Sequence, residues 1–148
     1  MAVQPYDEAR IEATDVIIRR VNRKQHVVWD ENTKKERISS KLYQKSSGQD
    51  AGMSVDIEAL MLADGVCPKK FVTTPVFMGS VAFSAGQVRT LGLWVGYDPI
   101  PASQSDPGNP YHGEVWTTGP SKRFSDAQRR GLASAARWYV RLPGVDIP

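Results

Sequence analysis

Arg20, Ser39, Ser40, Arg89 and His112 are the residues whose types best suit chemistry on an anion. Arginine presents a planar fork of donors that matches phosphate or carboxylate, hydroxyls add neutral donors, and histidine gains or loses charge near neutral pH. Arg89 follows the apolar run Val81-Ala82-Phe83, and His112 stands where a proline-rich loop enters Val115-Trp116. Both are therefore expected at one rim of the sheet that these runs would build, where binding and catalytic groups concentrate. Plainer roles are open to each: Arg89 could brace loop carbonyls, and His112 could be a satisfied loop side chain.

Several chemistries lack their residues. Structural zinc needs four nitrogen or sulfur ligands, and this chain has one cysteine, Cys67, and two histidines, His26 and His112, so no metal is expected. Lys69 and Lys70 beside Cys67 favour a thiolate, yet most free thiols are inert packing. Ala82-Phe83-Ser84-Ala85-Gly86 lacks the first glycine of a nucleophile elbow. No phosphate loop or dinucleotide fingerprint is present. Motifs alone therefore assign no catalytic residue and no cofactor.

The elements that must position these residues centre on the stretch from Gly79 to Gly119. Its runs Val81-Ala82-Phe83, Leu93-Trp94-Val95 and Val115-Trp116 read as central strands, being short, β-branched or aromatic, and cut by Gly and Pro. Ser84 can cap one helical turn that Gly92 ends. Pro99, Pro101, Pro107 and Pro110 exclude helix or central strand from the loop between. Upstream, Asp7, Glu8 and Glu12 suggest a short helix within residues 1–14, and Asp15 to Val21 reads as a strand. His26 to Trp29 suggests a second strand, Lys34 to Tyr43 an edge strand, and Ser46 to Gly52 a polar loop. Ser54 to Gly65 reads as a helix with a capping serine and early acids. The last helix opens on the capping box Ser125 to Gln128 and runs toward Pro143. Leu132, Ala135, Ala136 and Tyr139 would face the sheet, with Arg130, Ser134, Arg137 and Arg141 opposite.

A chain of 148 residues, 41% hydrophobic and 24% charged, suits one domain over residues 1–148 with a core of its own. The predicted class is α+β: a mixed or mostly antiparallel sheet with the C-terminal helix packed on one face. The formal charge is only +3, but nine basic residues between Arg19 and Lys45 face just Asp30, Glu31 and Glu36, and Arg130, Arg137 and Arg141 make a second basic zone. Such basic patches suit a binding module for nucleic acid or an acidic protein partner; a solvated surface is the plainer alternative. No apolar run approaches the roughly 18 residues that would cross a membrane, and the start MAVQPYDEAR lacks a secretory pattern. The expectation is a cytoplasmic protein with no membrane association.

Two resemblances add to this reading. The order Ile17-Ile18-Arg19-Arg20-Val21, Arg37-Ile38-Ser39-Ser40, Gly52-Met53-Ser54-Val55, Ser84-Ala85-Gly86 with Arg89, Leu91-Gly92, Asp98-Pro99, Asn109 to His112, and Ala135 to Trp138 resembles a group of small bacterial proteins to which no activity is assigned. That resemblance spans Val16 to Trp138 and implies a bacterial or phage-associated cytosolic protein. A remoter likeness is to ADP-ribosyltransferase-type domains, in which an Arg on the first strand and a later Ser precede a catalytic Glu. Arg19 or Arg20, Ser39 or Ser40, and Glu114 would take those places. Where such domains often carry Glu or Gln two residues before the catalytic Glu, this chain has His112. The likeness implies a small transferase or hydrolase as the alternative to a binding module.

Overall fold

The computed structural model describes residues 3–46, 52–118 and 123–148, and the fold is a single-domain α+β structure. A six-stranded antiparallel sheet forms its centre: β1 (Val16–Val21), β4 (Met53–Ile57), β5 (Gly79–Ser84), β6 (Leu93–Tyr97), β7 (His112–Thr117) and β8 (Arg137–Val140), in the order β6-β7-β4-β1-β5-β8. A small sheet of β2 (Val27–Asp30), β3 (Lys35–Ile38) and β9 (Val145–Asp146) lies beside it. The helices are α1 (Arg23–His26), α2 (Glu58–Ala63), α3 (Pro68–Val72), α4 (Ala85–Thr90) and α5 (Asp126–Ala135). The expected class, the antiparallel sheet and the strand over Asp15 to Val21 are all present.

Strand alternation sorts the large sheet into two faces. Ile17, Val21, Val55, Ile57, Phe83 and Val115 share the apolar face and enter one core with Val88 of α4 and Leu132 of α5. On the other face Ile18 packs with Met61 of α2, Val72 of α3 and Tyr111, while Arg20, Ser54, Asp56, His112 and Glu114 supply polar groups beside that smaller cluster. Of the three capping serines read from sequence, Ser84 and Ser125 form full capping boxes with Gln87 and Gln128, whereas Ser54 caps no helix.

Several elements differ from expectation. Residues 3–14 form no helix; Glu8 instead pairs its backbone with Val95, and Ile11 is buried. Ser54 to Ile57 is strand, because Met53, Val55 and Ile57 alternate into the core while Ser54 and Asp56 face away; the helix begins only at Glu58. β3 lies between β2 and β9 and is no edge. β7 lies inside the large sheet, but β6 is at its edge, and the centre is held by β4 and β1. The last helix stops at Ala135, and the aromatic, β-branched stretch Arg137 to Val140 pairs with β5. Arg130, Ser134, Arg137 and Arg141 therefore make no common helical face. The polar loop expected at Ser46 to Gly52 lies outside the described residues at 47–51.

Candidate functional site

The large sheet is split between its two central strands. β1 and β4 pair only at Ile17 with Ile57 and Ile18 with Asp56, although β1 runs on to Val21 and β4 begins at Met53. The backbone groups of Ser54 that would meet β1 need other partners. Its N–H donates to Ser46 Oγ at 3.0 Å, and its carbonyl accepts from Arg19 Nη1 at 3.0 Å. Arg19 also donates from Nε to the Leu42 carbonyl at 3.1 Å and from Nη1 to Ser46 Oγ at 3.3 Å. The arginine thus fills the split, only 8% exposed. Burial lowers its pKa to about 10, against the pull of Glu114 and Asp56, so it stays charged at neutral pH.

Cavities open on both sides of this split, and Arg19, Ser54 and Phe77 line both. The first holds about 620 Å³, within the usual range for small-molecule sites. Lys41, Lys45, Arg123 and Arg129 line it with His26, and no Asp or Glu does so among the described residues. His26 Nδ1 accepts the Asn22 N–H at 2.9 Å, so the proton of the neutral ring sits on Nε2. Burial, helped by the Arg19 charge, lowers the His26 pKa to about 4. The ring is therefore a neutral donor at pH 7.

The second cavity holds about 510 Å³ and is lined by Arg20, Asp56, Asn109 and His112 with Phe71 and Ile100 among its apolar walls. Arg20 grips Asp56 through Nε at 2.8 Å and Nη2 at 3.1 Å, and its guanidinium lies over the rings of Phe71 and Phe77 at 5.6 and 6.0 Å. Asn109 Nδ2 donates to the same carboxylate at 2.7 Å. Asp56 is thereby fully engaged, and the pair presents little net charge.

Next to these groups, Asp98, His112 and Glu114 bring ligating atoms within 4.8 Å of one another. His112 Nδ1 stands 2.7 Å from the Asp98 carbonyl oxygen. Glu114 is 6% exposed and its Oε2 has no hydrogen-bond partner among the described residues. Burial, then the neighbouring Asp98 carboxyl, raises the Glu114 pKa to about 7, with Arg19 pulling the other way. The three side chains offer a cation a small donor set, but with the Glu114 carboxyl readily protonated, a proton held near the two acids is the simpler arrangement at neutral pH. Gly113, between His112 and Glu114 in the chain, lies on the opposite face of the strand; a Cβ there would fall 2.7 Å from the Gly96 carbonyl oxygen and 2.9 Å from Ile57 Cδ1.

Of the residues expected from sequence, Arg20 and His112 meet in the second cavity. Arg89 does not join them: its helix packs on the apolar face, while His112 shares the polar face with Asp56. Arg89 instead donates to Asp7 Oδ1 at 3.0 Å, the Ile11 carbonyl at 2.7 Å and the Glu8 carbonyl at 2.9 Å, bracing the N-terminal segment. Ser39 caps the single turn Ser40–Leu42, and the exposed Ser40 hydroxyl meets Arg129 Nη2 at 3.4 Å. Arg130 and Arg137 are exposed, and Arg141 reaches Asp146 and the Val145 carbonyl. Cys67 is exposed just before α3. The sequence reading missed Ser54, Asp56 and Asp98; the alternation Met53 to Ile57 was the signal that could have placed the first two. No protein-family model, no curated protein and no solved structure matches the chain.

Proposed function

We propose that the cleft takes NAD as substrate and cleaves the bond between its ribose and nicotinamide, in the manner of ADP-ribosyltransferase-type domains. The observation that carries this reading is the placement of Arg19, Ser54 and Glu114 on the adjacent strands β1, β4 and β7, with Ser54 directly opposite Glu114 in the β4–β7 register and the Glu114 carboxyl near enough to Arg19 to feel its charge. Ser54, and not Ser39 or Ser40, is the serine between the arginine and the glutamate. The basic first cavity suits a pyrophosphate, held by charge and by the Nε2–H of His26. As the glycosidic bond breaks, positive charge develops on the ribose, and an ionised Glu114 carboxylate in a buried setting stabilises it.

Purified protein incubated with NAD should release nicotinamide, measured by chromatography, and Glu114→Gln should retain NAD binding by calorimetry while losing release. Absence of both binding and release in the unsubstituted protein overturns the reading. Because Glu114 must be ionised to act, release should rise with pH through about 7. The charged and titratable groups around it are Asp98, Arg19 and, two residues along its own strand, His112.

A second reading, recognition of nucleic acid or an acidic protein partner by a bacterial binding module, is favoured by the lining of the first cavity, basic and without Asp or Glu among the described residues. Phosphate neutralisation releases counterions, so labelled RNA and DNA should bind with an affinity that falls steeply between two salt concentrations. No binding at low salt removes nucleic acid and leaves the acidic protein.

A further inference from the structure

We infer that the second cavity is the acceptor site of this reaction and that His112 is its general base, so that the acceptor is a neutral hydroxyl compound. The inference rests on the NAD-cleaving reading. A carbonyl oxygen only accepts hydrogen bonds, so the 2.7 Å contact between His112 Nδ1 and the Asp98 carbonyl puts the ring proton on Nδ1. Nε2 of the neutral ring then keeps its lone pair. His112 lines the cavity, is only 8% exposed, and has a ring nitrogen within 4.8 Å of a Glu114 carboxyl oxygen, which sets the base at the cavity wall beside the carboxylate.

The character of the cavity selects the acceptor. The Arg20–Asp56 pair cancels its own charge, Phe71 and Ile100 supply apolar wall, and Asn109 is held by its bond to Asp56. An anionic acceptor would be drawn to the first cavity, lined by Lys41, Lys45, Arg123 and Arg129. A guanidinium or ammonium acceptor would find Asp56 already occupied by Arg20 and Asn109, and Asp106, the other acid of the lining, exposed to water and bonded to the Gly108 N–H. A neutral hydroxyl, on a side chain, a sugar or water, needs only removal of its proton. In the step itself, the hydroxyl proton passes to His112 Nε2, the oxygen electron pair forms a bond to C1′ of the ribose, and the C1′–nitrogen bond breaks. Its electron pair stays on the ring nitrogen, and neutral nicotinamide leaves.

The test compares two small nucleophiles with the intact protein and His112→Ala. Methanol must lose a proton to attack, whereas azide is already an anion and needs no base. The variant should form methyl ADP-ribose about 10²-fold more slowly, the azide-to-methanol product ratio should rise by a similar factor, and added imidazole should restore methanol transfer. Equal losses with both nucleophiles, or no loss with either, overturn the role of His112 while leaving NAD cleavage standing. Failure of the unsubstituted protein to release nicotinamide overturns the NAD reading and this inference together.

Discussion

His26 and His112 both use Nδ1 for a backbone partner, but in opposite senses: His26 accepts the Asn22 N–H at 2.9 Å, and His112 lies 2.7 Å from the Asp98 carbonyl. In their neutral forms the first therefore offers a donor at Nε2 and the second an acceptor. The two cavities on either side of Arg19 are thereby given different hydrogen-bonding characters by one residue type. Nitrogen NMR of the neutral rings should report an Nε2–H tautomer for His26 and an Nδ1–H tautomer for His112. The same tautomer at both would undo the division of labour between the cavities.

Arg19→Met should cost stability as well as ligand. It leaves the Leu42 and Ser54 carbonyls short of a buried donor, a loss of about 3 kcal/mol in urea unfolding. NAD binding should vanish in the same variant at temperatures where it is folded. A change under about 0.5 kcal/mol would mean that water satisfies the split as well as the arginine does.

Arg89→Ala tests the opposite role. Three donors to Asp7, Glu8 and Ile11 are removed, so unfolding free energy should fall by about 1 to 3 kcal/mol. Amide exchange should quicken around residues 7–11. Nicotinamide release should be unchanged, since Arg89 stands on the apolar side of the sheet; lost release with unchanged stability would restore it to the site.

Two buried groups shape the pH dependence of stability in opposite directions. The folded pKa of His26 is about 4, below its ordinary 6.5, so the unfolded chain binds more protons in that interval and stability falls as pH drops through it. Glu114 is raised from 4.5 to about 7, so the folded chain binds more protons and stability falls as pH rises through that interval. The two slopes offset each other between pH 4.5 and 6.5. His26→Gln should expose the Glu114 slope, with stability decreasing from pH 4.5 to 7, and Glu114→Gln should expose the His26 slope. Thermal melts across that range check both, and parallel profiles for the two variants would refute the assignment.

Leu132→Ala should destabilise by about 2 to 5 kcal/mol, because the side chain is fully buried where α5 meets the core. Chemical denaturation measures it. Leu132 was legible from spacing alone, whereas Tyr139, expected on the same helical face, lies in β8.

What else was legible follows from how far each signal reaches along the chain. Capping boxes at Ser84 and Ser125 involve residues three apart, and the sequence shows them directly. β4 was hidden because Ser54 and Asp56 resemble a helix start; what made it a strand was pairing with β7, whose partners lie some sixty residues away. Likewise Ala135 was followed by Arg137 to Val140 in strand because β5 offered a free edge. The placement of Arg89 and His112 on opposite faces could not be read either, since it depends on α4 crossing one side of the sheet. His112 and Arg20 were found by residue type, Ser54 and Asp56 were within reach of the Met53 to Ile57 alternation, and Asp98 needed the third dimension.

The gap between β1 and β4 has one more consequence. An interior split creates two strand edges in the middle of a sheet, and unpaired edges are templates on which a foreign strand can add. Here the Ser54 edge is closed by a serine hydroxyl and a buried guanidinium, and a charge pointing inward is a device by which edges resist such addition. Arg19 therefore also guards against strand invasion, and it keeps β4 from zipping onto β1 beyond Ile18 and Asp56. The residue that holds the cleft open is the one that makes an open sheet safe to carry.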